Sequence, residues 1–314
     1  MKIIASLLLI AVYSIAFGQT DSNQIILLSH WNKGDVYNFE VQKVRKQWKS
    51  DLLQLNDSVG YVSKFEVLDV SEDAYRIKWS YTYEMFNNFS ISSTLFKKLQ
   101  NSTPLEVIYI TDKTGAFQHI ENWKMIGDKL TDLIQTSVNV ITADSSFARA
   151  ELNRAIDPLN SIMKSEQGVQ ELILKELQYF HFPYGAVFSL VDTISYSQEI
   201  PNLLGGEPIR AETNIYLEKL DKETKICRII NKMSLDEEDT KRVVVDFLRA
   251  LDYDENEFED MVTSSEVNIS DNNVMNYNYA SGIPTFIRAE RLTIVDVASL
   301  KSKRLDLTII KLID

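Results

Sequence analysis

The sequence is short of the residues that usually brace or break a chain. One cysteine in 314 residues excludes a disulfide scaffold and a cysteine-based zinc site. Only 10 glycines and 6 prolines are present, which excludes collagen-like and proline-rich architectures. Cations are scarce too: 33 Lys and Arg face 45 Asp and Glu, for a formal charge of -12. That balance argues against nucleic acid and anionic membrane surfaces as partners, because both select clustered Lys and Arg. The three histidines, His30, His119 and His181, form neither H-E-x-x-H nor an i, i+4 pair, so no metal site is expected. There is no G-x-S-x-G, no G-x-G-x-x-G and no P-loop, and no cofactor is implied.

What is present points to an exported globular protein. Hydrophobic residues make up 45% and aromatics 10%, enough apolar surface to offset chain entropy, so the chain is not disordered. Met1-Lys2 gives a positive start, Ile3 to Ala16 is almost wholly apolar, and Ala16-Phe17-Gly18 places small residues where a signal peptidase cuts. The run is broken by Ser6, Tyr13 and Ser14 and falls short of the roughly 20 residues needed to span a bilayer. Residues 1–18 are therefore read as a cleaved signal peptide and 19–314 as a single α+β domain, with a subdivision near 183–186 as the alternative. No cysteine follows the apolar run for lipid attachment, and no second segment reaches membrane length. A soluble periplasmic or secreted protein is expected. Cys227, in Ile226-Cys227-Arg228-Ile229, reads as a small buried hydrophobe sharing a strand face with Ile229.

Period-two alternation is the clearest pattern. Tyr75, Ile77, Trp79, Tyr81 and Tyr83 interleave with polar residues, as do Tyr37, Phe39 and Val41, and Val59, Tyr61, Phe65 and Val67. Leu105–Thr111 reads as a further strand closed by a turn at Asp112–Gly115. The period then becomes helical from Ile120 to Ile141, with Asn122 as N-cap, and two more helices fit Ser145–Ile156 and Glu166–Phe180. Strands return near 186–199, 212–220 and 224–234. Ser234-x-x-Glu237 matches a capping box opening a helix to Leu251. Four last strands are predicted near 261–269, 273–281, 284–297 and 303–313, the first two joined by a tight turn at Asp271-Asn272-Asn273. The fold class is α+β: a long, curved antiparallel sheet, half-barrel-like, wrapped around helices inserted at 119–180 and 236–251.

Three short motifs test for catalysis. Lys113-Thr114-Gly115, Ser161-x-x-Lys164 and Ser270-Asp271-Asn272 spell K-T-G, S-x-x-K and S-D-N of the penicillin-recognising serine enzymes, in which the serine attacks the lactam. The order differs from that family's, and Ser161 follows the Asp157-Pro158 break, so this enzyme reading ranks a distant third. Asp252-x-Asp254-x-Asn256 opens like a calcium loop, but Glu257 and Thr263 stand where glycine and a carboxylate are needed. A solvated acidic helix end is the simpler reading.

Trp31-Asn32-Lys33-Gly34-Asp35-x-Tyr37 and Tyr109-x-Thr111-Asp112-x-x-Gly115-x-Phe117, with the Phe17-Gly18-Gln19 junction, resemble uncharacterised exported proteins of Gram-negative bacteria. The whole is similar to periplasmic lipoprotein-carrier-like half-barrel proteins. The resemblance implies a curved sheet embracing helices and assigns no catalytic residue. Two functions are expected to compete. One is a non-catalytic protein binding a lipid or other hydrophobic ligand on the concave sheet face, lined by Trp79, Tyr81 and Tyr83, with Pro201–Pro208 as a flap. The other is a structural or envelope-interaction protein whose core is filled.

Overall fold

Alternating strands account for most of the chain, and their apolar parity decides which face turns inward. The structure is a computed structural model describing residues 23–81, 106–144, 157, 163–173, 175–202, 204, 206–250, 258–298 and 300–313. The elements run β1 (Gln24–Ile26), β2 (Val36–Lys49), β3 (Leu52–Val70), β4 (Ala74–Tyr81), β5 (Glu106–Asp112), β6 (Phe117–Ile120), α1 (Trp123–Asp144), α2 (Glu166–Ile173) and α3 (Lys175–His181). They continue through β7 (Val187–Ser189), β8 (Thr193–Ile200), β9 (Ile209–Asp221), β10 (Ile226–Leu235), α4 (Glu237–Ala250), α5 (Phe258–Ser264), β11 (Glu266–Asn278), β12 (Ile283–Val297) and β13 (Leu300–Leu312). The chain is mostly β with few helices, broadly α+β.

Eleven strands form one open antiparallel sheet in the order β6-β5-β4-β3-β2-β13-β12-β11-β10-β9-β8. Every neighbouring pair is consecutive in sequence except β13 and β2, which join the two ends of the chain along Leu312↔Phe39 to Ser302↔Lys49. Between β6 and β8 the chain forms α1 to α3 and β7, which pairs with β1 from the start of the described chain as a separate two-stranded ribbon. Among the described residues no helix is long and apolar enough to cross a membrane.

The main core lies between the sheet and α3. Leu177 and Phe180 are fully buried, and the Phe180 ring packs against Phe39 of β2, Phe65 of β3 and Trp79 of β4. The next residue, His181, bonds Tyr109 of β5, while the Tyr277 hydroxyl of β11 donates to the Phe180 carbonyl at 2.7 Å. One short helix thus touches strands six places apart in the sheet. The β11–β12 turn is fixed from the other side, because the Gly282 carbonyl accepts from Trp31 Nε1 and from the Tyr184 hydroxyl. A second, smaller core joins Val244 and Leu248 of α4 and Phe258 of α5 to Val267, Val295 and Val297 of the sheet.

Several elements differ from the sequence reading. The expected hairpin at Asp271-Asn272-Asn273 is instead the middle of one unbroken strand, β11, and 258–264 is helical. Asp271 is taken by a two-pronged bond from Arg291, and Asn273 Oδ1 accepts the Glu290 N–H, so neither is free to shape a turn. The α4 cap is Asp236, whose carboxylate accepts the Asp239 N–H at 2.9 Å; Ser234 lies in β10. Asn122 does not cap α1 with its side chain, which bridges backbone groups of Ile108 and Glu106 instead. The segment 186–199 splits into β7, paired with β1, and β8, paired with β9. Helix 166–180 appears as α2 and α3. The signal segment 1–18 and the helix expected at 145–156 lie outside the described residues.

Candidate functional site

The aromatic row comes first. In β4, Tyr75, Ile77, Trp79 and Tyr81 all point to the helix-bearing face and all are buried. Trp79 stacks on Phe39 at 5.8 Å and meets Phe180 edge-on at 5.7 Å. Tyr81 lies beside Tyr61, with ring centroids 5.6 Å apart. Burial, aided by the negative field of Glu176, holds the Tyr81 hydroxyl well above its usual pKa, so it stays protonated. Ser63 Oγ is buried here without a hydrogen-bond partner among the described residues. Tyr83 lies outside the described residues.

His181 sits at the centre of this aromatic packing. The Gly115 carbonyl, 2.7 Å from Nδ1, can only accept, so Nδ1 carries the proton and Nε2 accepts from the Tyr109 hydroxyl at 2.8 Å. Burial drives its pKa down to about 4 and the Gly115 bond only partly opposes that, so the ring is neutral at pH 7. His30 and His119 are exposed.

Beyond the aromatic end the same face changes character. Glu176 of α3 is buried, yet it pairs with Lys43 of β2 and accepts from the Tyr61 hydroxyl. One row further along, the strand register sets Asp271 (β11), Arg291 (β12), Asp306 (β13), Arg45 (β2) and Asp57 (β3) directly opposite one another in sequence. The signs alternate across all five strands. Arg291 grips Asp271 with two bonds of 2.7 Å; Asp306 accepts from Arg45 at 2.9 Å and from Arg304 at 2.6 Å. Burial raises the Asp306 carboxyl, but bonds from Arg304 and Arg45 outweigh it and hold the group below the usual carboxylate range. The Asp271 bonds raise the Arg291 guanidinium further.

This charged row lies between two apolar zones on one face. On one side are Val41, Ile310, Ile287 and Met275, paired in register; on the other are Val267 and Val295 beneath α4 and α5. Although both flanks are covered by helices, the row is open to water: the Arg45 side chain is 53% exposed and Arg304 42%. The arrangement can hold a polar or dipolar group between apolar surfaces. Each guanidinium of the row is paired with a carboxylate.

Sequence reasoning missed this row, since its members come from five strands and Arg45 and Asp306 lie 261 residues apart. A signal was there: each charged residue falls on the inward parity of its strand, Arg45 after Phe39 and Val41, Arg291 between Ile287 and Val295. Lys113-Thr114-Gly115 is the β5–β6 turn, Ser270-Asp271-Asn272 lies inside β11, and Ser161 is outside the described residues. So are Asp252, Asp254 and Asn256 of the calcium-like stretch. In the 201–208 loop, Leu204 packs onto the second core. Cys227 is a free, buried thiol.

No protein-family model matches the chain, and no curated protein matches it. Among solved structures it is similar to a lipovitellin chain from a structure titled for lipid–protein interactions in lipovitellin. That likeness has TM-score 0.39 and 10% identity over 90% of this chain, which spans 25% of the other. It also aligns with Ail, the attachment invasion locus protein of Yersinia pestis, with TM-score 0.14 and 5% identity, covering 88% of this chain and 97% of that one.

Proposed function

We propose that this chain is an exported, non-catalytic protein that holds a lipid or other amphiphile on the helix-bearing face of a bowed sheet. The bow is supported by α3, which reaches β5 and β11 at once; in a flat sheet those strands would stand roughly 30 Å apart at about 4.8 Å per strand. The observation carrying the reading is the water-open charged ladder from Asp271 to Asp57, set between two apolar zones of one face. It suits the polar end of an amphiphile. The apolar part would run through Tyr61 and Tyr81 toward Trp79, where Ser63 Oγ, buried without a hydrogen-bond partner among the described residues, offers a further polar contact. Phe180 covers Trp79, so a ligand chain at that end has to displace α3, whereas the ladder end needs no rearrangement.

A second reading, an interaction protein with a filled core, is favoured by that same cover over Trp79. Native mass spectrometry of the purified protein separates them: copurified lipid is expected, together with uptake of an environment-sensitive fatty-acid probe that Arg304→Glu and Trp79→Ala weaken. A clean apo mass with no probe uptake would overturn ligand binding and favour the filled core. Export is tested by sequencing the amino terminus of the exported protein, expected to begin at Gln19.

A further inference from the structure

The open sheet has two unequal edges. β6 contributes four residues before the chain turns into α1. β8 contributes eight, and all but Ile200 are exposed. Along its side away from β9, backbone N–H and C=O groups meet no strand among the described residues. Edges of this length are normally blunted by lysine, proline, a bulge or a covering element. Among the described residues β8 uses none of these: Thr-Ile-Ser-Tyr-Ser-Gln-Glu-Ile carries a single charge, Glu199, and its register against β9 is unbroken. Ile194 and Tyr196 are each 41% exposed on the helix-bearing face, next to Val191 at 74%.

We propose that β8 is a self-pairing edge, through which two copies of the chain join antiparallel about a two-fold axis at Tyr196. The sheet then runs on from one copy into the other. In that register Tyr196 meets Tyr196 of the second copy, Ile194 meets Gln198, Ser195 meets Ser197 and Thr193 meets Glu199. An aromatic cross-strand pair falls at the centre and no like charges oppose. Sliding to a register centred on Glu199 would set two carboxylates face to face, so charge selects against it. The pairing is isologous, and the far edge, β6, is half as long, so assembly stops at a dimer. The overall charge of -12 opposes association, but repulsion beyond about 8 Å is screened at physiological ionic strength and the strand itself is nearly neutral. A standard interface takes roughly 800 Å² from each partner; eight residues of edge fall below that, so dimer and monomer should exchange at micromolar concentration.

Sedimentation equilibrium of the purified protein over a concentration series, in physiological salt, tests this. A monomer–dimer equilibrium is expected, weakened about tenfold or more by Tyr196→Lys, which places two ammonium groups opposite each other. Oxidation of Tyr196→Cys should give a covalent dimer, and Thr193→Cys should not, while the buried Cys227 stays silent. A monomer at every concentration, a dimer indifferent to Tyr196→Lys, or equal crosslinking at both positions would overturn the proposal.

Discussion

Phe180 and Phe182 stand two residues apart at the end of α3, and the structure assigns them opposite energetics. The Phe180 ring is fully buried, with centroids of Phe39, Phe65 and Trp79 at 5.3, 5.4 and 5.7 Å; Phe182 is 40% exposed. Truncating a buried Phe to Ala costs about 3–5 kcal/mol, more where the walls cannot collapse into the space left. Here three walls are rings held by paired strands, so Phe180→Ala should lose about 4 kcal/mol. That is a large share of the 5–15 kcal/mol that typically holds a domain folded. Phe182→Ala should lose less than about 1 kcal/mol. Urea unfolding followed by tryptophan fluorescence gives both values by linear extrapolation. Equal losses in the two variants, or less than about 1 kcal/mol for Phe180→Ala, would refute the claim that α3 is pinned to the sheet by this ring.

Three further outcomes are expected. Burial holds His181 at about 4, against about 6.5 in an unfolded chain, so the unfolded state binds a proton that the folded state refuses between those values. Stability should be full above pH 6.5 and fall by about 3 kcal/mol toward pH 4; His181→Gln should remove that part of the slope in urea midpoints, and identical slopes would count against it. Gly282 has φ +67, and a Cβ there would run into the Leu28 carbonyl and Ser29 Cα, so Gly282→Ala should cost about 2 kcal/mol or more in chemical denaturation; a change within about 0.5 kcal/mol would sink the argument. Burial pushes the Cys227 thiol up to about 12, so maleimide should label the native protein negligibly at neutral pH and label it readily in urea, whereas fast native labelling would show an open site.

The alternation of apolar and polar residues by itself determined that most of the chain is strand, which residues of β2 to β5 turn inward, and that the sheet is antiparallel. Those properties depend on neighbours two residues apart, and Tyr75, Ile77 and Trp79 display them without any distant partner. What it could not settle was the fate of ambiguous polar residues. Asp271-Asn272-Asn273 has the composition of a tight turn, and only Arg291, brought alongside by the β11–β12 pairing, makes it strand. Ser234-x-x-Glu237 has the spacing of a capping box, but β10 runs through Ser234, and Asp236 caps α4 instead. Tertiary structure alone assembled the ladder from Asp271 to Asp57, because its neighbours come from different strands, Arg291 meeting Asp271 and Arg45 meeting Asp306. The pairing of β13 with β2 is of the same kind: it joins segments from opposite ends of the chain, and no local pattern in either strand names the other.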